Sequence, residues 1–248
     1  MIGLVGSGNM ARALALGWGE PVLCTDVVPE RAEALATETG GEALPGNGDL
    51  ADRADLIVLC HKPAQLEEVA EQVGGRAKGV VSILGGTPLA QVKAAYEGTP
   101  VVRMLPSTPV EVGAGVTCHA SDPEADAAFE QRARELFERV GPVVDVDESH
   151  IDAAMGLMSC APAYWALLVE AQVDAGIRAG VPKEVASELV VGTMAGTAEL
   201  IRTRYHDTLT IKRQVMSPGG STARGLAALE AGGVRAAFDD AMQAVVSR

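Results

Sequence analysis

The chain has 248 residues, 48% of them hydrophobic, with 33 acidic against 20 basic side chains and a formal net charge of −13. A chain of that length and hydrophobic content buries a sizeable core, as one large domain or two small ones, which excludes a disordered protein. The acidic balance, with no basic run to line a nucleic-acid groove, excludes DNA and RNA as main partners.

In chain order, MIGLVGSGNMARAL runs a strand into Gly6, Gly8 and Ala11, spaced as GxGxxA, and on into a helix. Residue 2 already belongs to that strand, so no signal peptide is expected. Further β-rich runs follow as PVLCTD, DLIVLC, GVVSIL, TPVVRML, AGVTCHA and GPVVDVD, interleaved with helical patterns. Strand and helix in alternation predict a largely parallel sheet with helices on both faces. The runs lack two-residue alternation because strands covered on both faces have no wet side to mark.

After VDESHID the β runs stop, and APAYWALLVEAQVDAGIRAG and PKEVASELVVGTMAGTAELIRT carry apolar residues at three and four spacing with Ala common, the pattern of closely packed helices. Gly180 ends one helix, Pro182 opens the next, and SPGGST breaks the chain before ARGLAALEAGG. The expected organisation is an α/β domain over residues 1–148 and an all-helical domain over residues 149–248. A helical half this apolar pairs with a second copy of itself or folds as Ala-rich helices inside a monomer; a homodimer is the expectation. No apolar run is long enough to span a bilayer. Cys24, Cys60, Cys118 and Cys160 lie far apart with no CxxC pair, which fits reduced thiols in the cytoplasm. His61, His119, His150 and His206 share no ligand spacing, so no metal is expected.

In a GxGxxA turn that follows a strand and opens a helix, Gly6 permits the sharp bend, Gly8 lets backbone approach a pyrophosphate, and Ala11 keeps helix and strand close. The context points to a Rossmann-type dinucleotide-binding domain. The second strand ends at Asp26, where a carboxylate accepts hydrogen bonds from ribose hydroxyls and repels an added phosphate, an argument for NADH over NADPH. The same aspartate also suits a turn or helix cap before VPERAEAL.

Several segments together resemble the pyrroline-5-carboxylate reductase family over nearly the whole chain: GLVGSGNMA at the start, HKP at residues 61–63, RMLPSTPVEVGAG from Arg103, APAY from Ala161, and SPGGST from Ser217 with GLAALEAGGVRAAFDDAM after it. The resemblance implies an amino-terminal Rossmann domain, a carboxy-terminal helical dimerisation domain, and reduction of a cyclic imine to L-proline. It implies that Gly6, Ser7, Gly8, Asn9, Met10 and Ala11 hold the cofactor pyrophosphate, that Asn47 lies near the adenosine ribose, and that Lys62 and Pro63 lie beside the nicotinamide. Lys62 also reads as an exposed helix-start lysine. Family enzymes commonly use NADPH, against the Asp26 argument, so both NADPH and NADH stand as cofactors.

The chain departs from the family at MSCAPAY, where Ser159, Cys160 and Ala161 replace a glycine-rich lead, at PSTP in place of PNTP, and at Gly192 in place of a glutamine. These departures leave open a reductase of another cyclic imino acid, or a paralogue that binds a dinucleotide without turnover. A β-hydroxyacid dehydrogenase has the same gross architecture, but residues 155–180 contain no lysine to serve it.

Imine reduction asks little acid–base chemistry of the protein: a cyclic imine protonates readily, and placement with charge complementarity supplies most of the acceleration. SPGGSTARGL offers glycine-rich backbone donors leading into a helix N-terminus, which favours a carboxylate; a capping turn alone is the plainer reading. Ser217, Gly219, Gly220, Ser221 and Thr222 are the expected substrate cradle, with Ala161 at the pocket edge. By resemblance, the Thr222 hydroxyl lies near the imine nitrogen; Thr222 and Lys62 are the expected catalytic residues. Tyr164 and Trp165 are expected in a core or an interface.

Overall fold

A computed structural model describes residues 1–205 and 207–247; His206 lies outside the described residues. Two compact units, Met1–Pro162 and Ala163–Arg248, make up the chain.

The first unit is built on eight strands: β1 (Ile2–Val5), β2 (Leu23–Thr25), β3 (Glu42–Ala43), β4 (Leu56–Leu59), β5 (Val80–Ser82), β6 (Val101–Pro106), β7 (Thr117–Ala120) and β8 (Val143–Val146). They form one sheet in the order β3-β2-β1-β4-β5-β6-β7-β8. Every pairing is parallel except β6 with β7. That exception has a local cause: the link from β6 to β7 is a 3-10 turn over Thr108–Val112, too short for the crossover that a parallel partner requires. The turn also packs hard on the first helix, since a Cβ on Gly17 would stand 2.0 Å from the Val110 carbonyl oxygen. The two-residue β3 was not legible in the sequence, being too short to show a pattern.

Seven helices accompany the sheet: α1 (Asn9–Trp18), α2 (Pro29–Thr39), α3 (Asn47–Arg53), α4 (Leu66–Val73), α5 (Leu89–Ala95), α6 (Ala127–Glu138) and α7 (Ile151–Met158). Residues of α1, α2 and α6 share one apolar cluster, and residues of α3, α4 and α5 share another. Strands contribute to both clusters, Leu4 and Val58 to the first and Val5 and Leu59 to the second, so helices cover both faces as expected. In the first cluster Trp18 meets Phe137 edge-on at 5.8 Å, and its indole N–H donates to the Leu136 carbonyl at 3.1 Å.

The sheet keeps the chain beyond residue 148. The side chain of Arg103 on β6 is 3% exposed and pairs with Glu148 Oε1 at 2.5 Å, and the same oxygen accepts the Leu89 N–H at 2.8 Å. Ile151 and Met158 of α7 then pack against Leu105, Cys118 and Ala120. Contacts therefore divide the chain after Pro162, later than the change of composition at residue 148.

The second unit contains α8 (Ala161–Arg178, which begins just inside the first unit), α9 (Lys183–Leu200), α10 (Thr208–Val215), α11 (Ser221–Ala231) and α12 (Val234–Val246), with a π-turn at Ile201–Tyr205. The breaks fall where the sequence places them: Gly180 takes φ +95°, Pro182 caps α9, and Gly219 takes φ +68° ahead of α11. Asp207 caps α10 by accepting from the Leu209 and Thr210 amides. Gly176 of α8 brings its backbone near the Ala186 Cβ of α9, and Trp165 lies 6.2 Å from Phe238 of α12. Trp165 is nevertheless half exposed.

Within this unit only Val173 and Ala186 are buried among the described residues. Contrary to expectation, the helical run Glu148–Arg178 is long and apolar enough to cross a membrane by length and composition. Its first part packs on the sheet through Ile151 and Met158, and Ser159 and Cys160 interrupt it.

Candidate functional site

A cleft of about 710 Å³ opens above the carboxyl ends of β1, β2 and β4. This is where the strand order reverses, with β1 flanked by β2 on one side and β4 on the other, the usual ligand crevice of an open α/β sheet. Gly6 takes φ +96°, and a Cβ there would stand 2.8 Å from the Cys60 and His61 backbone, so both conformation and space require glycine. Its N–H donates to the Thr25 carbonyl at 2.9 Å, which ties the loop to β2. Gly8 caps α1 without a side chain, and nothing lies within 4 Å of the position of its absent Cβ. The first-turn amides of α1 thus lack a side-chain cap and face open space, a fit for a pyrophosphate.

The side of the cleft nearest β2 is set by hydrogen bonds among its own walls. Asp26 Oδ2 accepts the Ser7 N–H at 2.8 Å, and its Oδ1 accepts the Val28 N–H at 2.9 Å. The Ser7 hydroxyl donates to the Thr25 carbonyl at 3.0 Å. The Thr25 hydroxyl donates to Asn47 Oδ1 and the Asn47 amide donates to Gln72 Oε1, each at 2.6 Å. Asp26 stands on the cleft wall and, as the turn reading expected, accepts the Val28 amide of the following turn. A third task was not foreseen, since it also holds the phosphate loop by the Ser7 amide.

At the other end lie Cys60, His61 and Lys62. His61 Nδ1 is 2.9 Å from the Lys62 carbonyl oxygen, which only accepts, so Nδ1 carries the proton. Burial pulls the imidazole pKa down, which keeps the ring neutral, and Nε2 is buried with no partner. Burial pushes the Cys60 thiol up, which disfavours its thiolate form.

The structure thus gathers Gly6, Ser7, Gly8, Asn9, Met10, Asp26, Asn47 and Lys62 around one cleft. Ala11 and Pro63 do not line it. Ala11 is fully buried in the core beside Leu4, where its small side chain lets α1 pack on the sheet, and Pro63 opens a 3-10 turn over Pro63–Gln65. Sequence reasoning missed Arg31, Gly46 and Gln72 in the lining.

The expected cradle lies in the second unit. The Gly220 N–H donates to the Ser217 carbonyl at 3.0 Å, and a Cβ on Gly220 would stand 2.3 Å from Ser217 Oγ, a hydroxyl that would have to rotate away. Arg224 braces the turn by donating from Nη1 to the Gly219 carbonyl at 2.6 Å. Gly220 caps α11 without a side-chain bond, leaving the amides of Ser221 and Thr222 uncapped, and Thr222 is half-buried. Ala161 is buried in the first unit at the start of α8, after Ser159 and Cys160. Gly192 has open space where its Cβ would be.

The family described as pyrroline-5-carboxylate reductase dimerisation matches residues 148–248, and the one described as NADP oxidoreductase, coenzyme F420-dependent, matches residues 1–86. Over its whole length the chain is 33% identical to the pyrroline-5-carboxylate reductase of Synechocystis, covering 96% of that protein. It is 34% identical to that of Mycobacterium tuberculosis, covering 95%. The chain belongs to the pyrroline-5-carboxylate reductase family. Solved pyrroline-5-carboxylate reductases share its fold: that of Streptococcus pyogenes has a TM-score of 0.88 at 26% identity, covering all of this chain and 98% of that one. The Plasmodium falciparum pyrroline carboxylate reductase, with NADP bound, also has a TM-score of 0.88 at 26% identity, over 98% of this chain and 94% of that one. The Rossmann-type amino-terminal domain and helical carboxy-terminal domain of a pyrroline-5-carboxylate reductase, both expected from the sequence, are therefore borne out.

Proposed function

We propose that this chain reduces 1-pyrroline-5-carboxylate to L-proline with NAD(P)H, and that Thr222 and Lys62 stand at the reacting centre. Full-length similarity to pyrroline-5-carboxylate reductases supports the activity. The observation that carries it on this chain's own residues is that each unit contains an uncapped, glycine-opened helix N-terminus, Gly8 before α1 for a pyrophosphate and Gly220 before α11 for a carboxylate. The bound reduced nicotinamide supplies the hydride. A cyclic imine protonates readily in water, so this chain would need to supply no strong acid. Gly6, Ser7, Gly8, Asn9 and Met10 hold the pyrophosphate; Asn47 and Asp26 shape the ribose end; Lys62 and the loop to Pro63 border the nicotinamide end. Ser217, Gly219, Gly220 and Ser221 form the cradle of the substrate carboxylate, with the uncapped amides at the start of α11 as donors, the Thr222 hydroxyl meets the imine nitrogen, and Ala161 shapes the pocket.

The protein works as a cytoplasmic homodimer in this reading. With only Val173 and Ala186 buried among its described residues, the second unit leaves Leu167, Leu189 and Leu229 about 60% exposed, faces that a second copy covers. The same cover accounts for an apolar run at Glu148–Arg178 without a membrane. The test is oxidation of NADH or NADPH by purified protein with 1-pyrroline-5-carboxylate and a panel of larger cyclic imines. Turnover highest on the five-membered substrate supports the proposal, and binding without turnover on any imine refutes it.

A further inference from the structure

The unexplained group in the dinucleotide cleft is Arg31. It lies in the first turn of α2 and lines the cleft beside Thr25, Asp26 and Val27. Every other arginine of the first unit, from Arg12 to Arg139, donates its side chain to a carboxylate or a backbone carbonyl. Arg31 shows no side-chain hydrogen bond or ion pair among the described residues, and its one bond is the backbone donation to the Val28 carbonyl. In a chain of net charge −13, rich in carboxylates available for pairing, an unpaired guanidinium at the cleft is a departure from the pattern.

Its neighbour Asp26 is differently placed from what the sequence suggested. Both of its carboxylate oxygens already accept backbone amides, from Ser7 and from Val28. Two amide donors spread its negative charge and fix its direction, which weakens the repulsion that the sequence argument for NADH relied on. A guanidinium with its donors free, close to such an aspartate, matches the planar, multidentate recognition of a phosphate.

We infer that Arg31 is the specificity-determining residue of the cofactor site, the group that binds the 2′-phosphate of NADPH and admits that cofactor despite Asp26. Asp26 is then a positioning residue that holds the phosphate loop for either cofactor. The inference rests on the reading of this cleft as the dinucleotide site.

The experiment measures dissociation constants by calorimetry for NADPH, NADH, adenosine 2′,5′-bisphosphate and 5′-AMP, on the unaltered protein and on Arg31→Ala and Asp26→Asn. Loss of one charge-assisted phosphate contact makes Arg31→Ala weaken NADPH and the bisphosphate about tenfold or more relative to NADH and 5′-AMP. Asp26→Asn weakens NADPH and NADH by similar factors, because the loop that both pyrophosphates use is loosened. Equal effects of Arg31→Ala on the phosphorylated and unphosphorylated partners, no effect on either, or an unaltered protein that binds NADH and not NADPH would each overturn the assignment. Binding of neither cofactor overturns instead the reading of the cleft on which it rests.

Discussion

Truncating Glu148 to Ala leaves Arg103 as a buried cation without a partner. Arg103 is 3% exposed on a central strand, and among the described residues its Nε lacks a hydrogen bond and Glu148 is its one carboxylate, at 2.5 Å. Breaking a fully buried pair from one side costs about 3–5 kcal/mol. The Glu148 side chain is 34% exposed overall although its Oε2 is buried, and we take the lower end of that range, about 3 kcal/mol including the acceptor lost by the Leu89 amide. For a unit of this size the loss lowers the melting temperature by about 6–12 °C. Glu148→Gln, which keeps an acceptor for Leu89, is expected to cost about half as much. The double change Arg103→Met with Glu148→Leu removes both charges and is expected to be more stable than Glu148→Ala alone. Urea unfolding followed by circular dichroism gives all three values. A Glu148→Ala protein within about 0.5 kcal/mol of the unaltered one would refute the reasoning, because an uncompensated guanidinium in that strand cannot be so cheap.

Three further outcomes follow from the same structure. Gly6→Ala sets a Cβ 2.8 Å from the Cys60 and His61 backbone at φ +96°, so NADH and NADPH affinities, read by fluorescence titration, should both fall about tenfold or more. Asp55 is held down to about 2 by hydrogen bonds from Lys78 and the N-terminal ammonium, so its stabilisation is present above the ordinary carboxylate range and is lost as pH falls through about 2. Asp55→Asn should therefore flatten the acid limb of the stability–pH curve below about pH 4. Leu167→Arg with Leu189→Arg should shift the protein towards monomer in light scattering, and an unchanged mass would show that those faces are not where two copies meet.

What the sequence disclosed and what it concealed divide along physical lines. Gly6, Gly8 and Asp26 were legible because a tight loop between strand and helix leaves few residue types free to serve. The break at Gly180 and the turn at Ser217–Gly220 were legible for the same reason, backbone conformations that glycine alone adopts easily. The antiparallel β6–β7 pair was hidden, since a buried strand has the same composition whichever way its neighbour runs. The end of the first unit was hidden as well: α7 is helical in pattern like everything after it, and only the Arg103–Glu148 pair and the packing of Ile151 and Met158 tie it to the sheet. Ala11 is the small residue that keeps helix and strand close, as its spacing predicted, and only its expected place in the cleft lining is not found. Arg31 escaped because a charged residue in the first turn of an exposed helix is common, and its lack of any partner is visible only in three dimensions.

Turnover on 1-pyrroline-5-carboxylate tests the central claim most directly, followed as loss of reduced-nicotinamide absorbance with the unaltered protein and with Thr222→Ala. The expected result is substrate-dependent oxidation of NADPH or NADH that falls about tenfold or more in Thr222→Ala, with cofactor affinity unchanged. Absence of turnover by a protein that still binds the cofactor would contradict the claim, and full activity in Thr222→Ala would remove that hydroxyl from the reacting centre.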